Sequence, residues 1–180
     1  MKAHDWMAKV GFDASAAHQE KVVVKRGESV WVSPRQEVQG ALRPTVRTVE
    51  TPEEYRSLVA LAQGPTPMIP DGVQGCHVDN VSGDAAAKLK NARTEAVYFT
   101  YGGQAMSADA RDEIVKRYFP LQVAMGAYPD VEINTGGQFV IDGGVGSYHF
   151  GTVKIHQGGN FIVYSNASIV IDDLQKLPPN

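Results

Sequence analysis

Apolar and polar positions change their spacing along the chain, and the change divides it near residue 119. Upstream, short apolar runs alternate with stretches of helical period. Downstream, Phe, Val, Ile and Tyr fall into alternating or block-like runs punctuated by glycine. Lys21-Val22-Val23-Val24-Lys25 predicts a strand, Arg26-Gly27-Glu28-Ser29 a turn, and Val30-Trp31-Val32 its partner strand. Thr51-Pro52-Glu53-Glu54 predicts a helix start: a capping Thr, Pro at the first helical position and Glu in a capping box. That helix should bury Tyr55, Leu58 and Val59 and stop at Gly64-Pro65. Asp84 to Arg93 predicts a short helix and Ala96 to Tyr101 a strand. After Gly102-Gly103, Ser107 caps a helix through Tyr118 with Ala110, Ile114, Val115 and Tyr118 facing inward.

The segment from Phe119 to Asp173 resembles itself. Gly136-Gly137-Gln138-Phe139-Val140-Ile141-Asp142 recurs as Gly158-Gly159-Asn160-Phe161-Ile162-Val163-Tyr164, an offset of 22 residues. Thr152-Val153-Lys154-Ile155 follows the first copy and Ser168-Ile169-Val170-Ile171 the second; Leu121 to Met125 and Val131 to Ile133 form a looser third pair. The offset suits one turn of a β-solenoid and equally two hairpins of an antiparallel meander. The expected fold class is α+β: a small α/β N-terminal lobe over residues 1–119, and a β-rich C-terminal module over 120–180, solenoid-like or sandwich. At least five strands are expected in that module. Phe139, Ile141, Val153, Ile155, Phe161, Val163, Ile169 and Ile171 should be buried.

Composition narrows the function classes. The net charge of −3 argues against a dedicated nucleic-acid binder. No apolar run reaches the eighteen residues a membrane-spanning helix needs, and Met1-Lys2-Ala3-His4-Asp5-Trp6 is too polar for a signal peptide. Cys76 is the single cysteine, so no intrachain disulfide forms. A cytoplasmic location is expected, or release without a classical signal peptide. Beyond residue 119 only two basic and five acidic residues remain, against fifteen of each before it. The module's surface is therefore built from Gly, Ser, Thr, Asn and Gln, which suits protein packing or sugar recognition.

Candidate chemistry is sparse. Residues 64–79 form a Pro- and Gly-rich loop leading into Cys76-His77-Val78-Asp79, a thiol, an imidazole and a carboxylate within four residues. His77 and Asp79 would share one face of a strand, whereas Cys76 and His77 would point apart. No second cluster with ligand spacing accompanies them, so neither a metal nor a cofactor is expected. Tyr98, Tyr101, Gly102 and Gly103 make a strand–glycine–helix junction, where free backbone N–H groups attract anions. Tyr148 and Tyr164 are candidates for a stacking surface. The leading expectation is a non-enzymatic binding or assembly protein that uses its charge-poor β surface, partnered by a second copy or another protein. A small enzyme with its site at Cys76, His77 and Asp79 is one alternative; a glycan- or membrane-recognising toxin or lectin component is the other.

Overall fold

A computed structural model describes residues 3–18, 20–63, 84–102 and 104–180. Its elements are α1 (Ala3–Lys9), a short 3₁₀ turn at Ala14–Ala16, β1 (Val22–Val24), β2 (Ser29–Val32), β3 (Thr45–Val49), α2 (Pro52–Gln63), α3 (Asp84–Gly102), α4 (Ala108–Tyr118), β4 (Leu121–Ile133), β5 (Gln138–His156) and β6 (Asn160–Leu177). The class is mixed α and β. The strands form one six-stranded sheet in which β1-β4-β5-β2 follow one another, with β3 on β4 and β6 on β5.

The pairing is parallel. Val123 to Ile133 of β4 lie beside Val145 to Ile155 of β5, and Gln138 to Asp142 of β5 lie beside Asn160 to Tyr164 of β6. The offset read between the two glycine pairs thus reappears as strand register. Parallel neighbours need a crossover of a dozen or more residues. Here the strand itself supplies it, because the connections at 134–137 and 157–159 are tight turns. The expected five strands are three long ones, since β5 and β6 pair on both sides of the register shift between Asp142 and Val145.

β1 and β2 are not a hairpin. β1 pairs with Val131 to Ile133, and β2 with Gln138 to Ile141. The turn between them explains why. Lys25, Asn134 and His156 each accept from the N–H three residues on, and Gly27, Gly136 and Gly158 occupy the third position with φ of +74°, +76° and +87°. One positive φ at that position is the type II arrangement, which splays its flanking strands, whereas two-residue hairpins need the mirror-image turns. The three turns are bonded to one another: the Gly27 N–H donates to Gly136 and the Gly136 N–H to Gly158.

The chain divides into two compact units, Met1–Arg47 with Gln122–Asn180, and Thr48–Leu121. Residues 1–47 group with the C-terminal strands because β1 and β2 are members of their ladders. In this strand unit the core comprises Val24, Val32, Tyr128, Ile133, Phe139, Ile141, Tyr148, Phe150 and Val153. Phe139 stacks on Phe161 at 5.4 Å and Tyr128 on Phe150 at 5.3 Å, each pair joining neighbouring strands. Trp6, Met7 and Val10 are fully buried, with the Trp6 indole stacked on the His149 ring.

In the helical unit, Thr51 Oγ1 accepts from the Glu54 N–H, and Ser107 Oγ from Ala110, so both predicted caps form. The expected strand over Ala96 to Tyr101 is instead the second half of α3. Leu89, Ala92 and Phe99 are its buried residues, spaced on one helical face with half-buried Ala96. The packing of Ala92 and Ala96 on Ala110 and Ile114 of α4 outweighs the β preference of Val97, Tyr98, Phe99 and Thr100.

Candidate functional site

The strand unit ends on β6. Among the described residues no strand pairs with its outer side. The consequence is visible along each inward-facing ladder. Phe139, Ile141, Tyr148, Phe150 and Val153 of β5 are completely buried, whereas their β6 partners Phe161, Ile169 and Ile171 are only half-buried, and Val163 and Leu174 are 40% and 52% exposed. The expectation of burial therefore fails at Val163, and is only partly met at Ile155, Phe161, Ile169 and Ile171. For Phe161, Val163, Ile169 and Ile171 the reason is position in the stack: apolar residues of a terminal strand have a neighbour on one side only, whereas Ile155 belongs to β5 and is paired with Ile133 and Lys176.

A second feature is the corner of β5 at the register shift between Asp142 and Val145. Asp142 is buried and accepts from Arg35 Nη2 at 2.7 Å. In β6 it is paired with Tyr164, which is 66% exposed. Arg35 is placed by the loop after β2: its N–H donates to Ser33 Oγ, and its carbonyl accepts from Arg43. Arg43 also donates to the carbonyls of Ser33, Gln36 and Val38, so this guanidinium is a clamp for the loop.

A cleft of about 400 Å³ lies in the same unit, lined by Ala17, His18, Glu20, Leu42, Arg43 and Tyr128 among others. The His18 ring sits 5.6 Å from that of Tyr128, whose phenol is pushed up by burial. With Arg43 engaged by backbone carbonyls, the cleft presents His18 and Glu20 and little other chemistry. Elsewhere His149 Nε2 meets Asp172 at 3.1 Å, while Nδ1 and the Ser147 Oγ are buried without hydrogen-bond partners among the described residues. Trp6 covers that imidazole, so no substrate reaches it in this conformation.

The structure places the candidate residues as follows. Cys76, His77, Asp79 and Gly103 lie outside the described residues. Tyr98 is 41% exposed on α3, Tyr101 is in its last turn and Gly102 is its last residue, so the strand–glycine–helix junction is replaced by a helix end. Tyr148 is fully buried in the core and its phenol is pushed up by burial, with Asp142 adding to the shift. Tyr164 alone of the strand-unit pair offers an open ring. The sequence reading missed Arg35, because its partner is 107 positions away and no local pattern links the two. Among the described residues no three His, Cys, Asp or Glu side chains gather to hold a metal, and no helix is long and apolar enough to cross a membrane. Comparison with known protein families, curated proteins and solved structures finds no match for this chain.

Proposed function

We propose that the chain is a non-enzymatic assembly module whose strand unit is a short β-solenoid that docks end-on, through β6, against a second copy. The solenoid reading is supported by parallel ladders whose register advances by one circuit of the chain. The assembly reading rests on one observation: ladders that are sealed at β5 stand open at β6, with Val163 and Leu174 the most exposed members. A strand paired on one side only, with apolar side chains exposed, is a template for another chain.

A second copy suits the charges at this end. Leu174 lies between Asp172-Asp173 and Lys176. Two β6 strands related by a two-fold axis run antiparallel, which sets Lys176 of one copy against Asp172 and Asp173 of the other. Such an isologous contact closes on itself, whereas head-to-tail stacking would grow fibres. It should bury more than about 1,000 Å² in total.

Light scattering tests this directly. The expected mass is that of two chains at tens of micromolar, falling to one chain in Leu174→Glu with an unchanged circular dichroism spectrum. A one-chain mass for the unaltered protein across the micromolar range overturns the proposal.

A further inference from the structure

The corner at residues 142–145 carries polar and aromatic groups outside the apolar ladder of β6. Asp142 pairs with Tyr164 and Val145 with Asn166, so Gly143-Gly144 oppose the single residue Ser165. Bulges of this kind re-aim side chains and are common beside binding sites. Both glycines hold positive φ. A Cβ on Gly143 would meet Pro34 Cδ at 3.0 Å, while nothing lies within 4 Å of where one on Gly144 would stand. Gly144 is therefore exposed, with open space where a side chain would stand.

Around this corner the chemistry is mixed in a particular way. Asp142 and Tyr164 are register partners on neighbouring parallel strands, which lie about 4.8 Å apart with paired side chains on the same face. Arg35 binds Oδ1 alone, which leaves Oδ2 as an acceptor and further guanidinium N–H groups as donors among the described residues. Both partners keep contact with solvent, Arg35 at 51% and Asp142 at 12% side-chain exposure. Ser165 Oγ, opposite the bulge, is buried without a hydrogen-bond partner among the described residues.

We infer that this corner is a binding subsite for a neutral saccharide, with Tyr164 as the stacking platform and the Asp142–Arg35 pair as acceptor and donor for adjacent hydroxyls. A sugar ring presents a C–H face to an aromatic and neighbouring hydroxyls that each donate and accept. The ion pair has no net charge. An anion would meet the Asp142 carboxylate, and a cation drawn to the ring would meet Arg35, so the site favours an uncharged, hydroxyl-rich ligand.

Affinity electrophoresis of the full chain in gels containing dextran, xylan or mixed-linkage β-glucan tests the inference, with heparin as an anionic control. Retardation is expected in at least one neutral gel. Tyr164→Ala should weaken it about tenfold and Asp142→Asn several-fold, while Tyr98→Ala leaves it unchanged. Because Tyr164 is exposed, its truncation does not threaten the fold, which keeps the test valid if Asp142→Asn is unstable. No retardation in any neutral gel, retardation by heparin alone, or full binding by Tyr164→Ala each overturns the inference. Light scattering on the same samples separates the two proposals: a monomer that is still retarded removes only self-association, and a dimer that is not removes only the saccharide site.

Discussion

A methyl group added at Gly151 would lie 2.2 Å from the carbonyl oxygen of Pro129 and 3.2 Å from its carbonyl carbon. Both are backbone atoms, so no side chain can swing away, and β4 and β5 must separate locally. Gly151→Ala is therefore expected to cost about 1–3 kcal/mol, read as a drop in thermal midpoint of several degrees. Trp6 is the opposite case, a large side chain fully buried against His149. Trp6→Ala should cost about 3–5 kcal/mol and expose the segment around α1 to limited proteolysis before the strands unfold. Single residues differed in how openly the sequence spoke for them. Gly136 and Gly158 were legible because each begins one of two related Gly-Gly-x-Phe segments 22 residues apart. Gly27 holds the same turn position, but its flanking Val-rich runs imitate a hairpin. Gly151 carried no signal at all, because its demand comes from a carbonyl 22 positions away.

At the level of elements, Glu132 on β4 ties several segments together. Its carboxylate accepts from Lys21, next to β1, and meets His156 Nε2 at the end of β5 at 3.2 Å. His156 Nδ1 in turn lies 2.8 Å from the carbonyl of Pro178. The Lys21 bond, then the His156 bond, hold the Glu132 carboxyl below its ordinary value of 4.5, against an opposing push from burial. A depressed folded pKa contributes stability that is complete above 4.5 and is lost as pH falls through the lowered value. Glu132→Gln should thus be less stable than the unaltered protein at pH 7, and the gap should narrow as pH falls below 4.5 through the lowered value. Urea midpoints measured between pH 7 and 3 give this difference; a constant gap would refute the linkage. Helix caps such as Thr51 and Ser107 were readable from sequence because capping is decided within four residues. The length of α3 was not. Its β-prone second half is helical because Ala92 and Ala96 meet α4, and a local pattern carries no knowledge of that neighbour.

At the scale of the whole molecule, the parallel sheet was the least legible feature. Ser29 pairs with Gln138, more than a hundred residues on, and β2 and β4 lie along the same side of β5 although the helical unit separates them in sequence. A repeat offset fixes the size of a circuit without fixing strand direction, so meander and coil look alike until the ladders are known. The same architecture makes a prediction about dynamics. β5 is paired on both sides, by β2 and β4 on one and β6 on the other, whereas β6 is paired on one side among the described residues. Amide exchange should therefore be slowest along Gln138 to Asp142 and Val145 to His156, and faster along Asn160 to Leu177. If β6 docks against a second copy, its protection must grow with protein concentration while that of β5 stays constant, since mass action favours the paired end. Hydrogen-exchange mass spectrometry at about 1 and 100 µM is the measurement, spanning a range over which an interface of micromolar affinity would fill. A concentration-independent profile in β6 would leave its apolar ladder to a different protein, and the dimer would have to be abandoned.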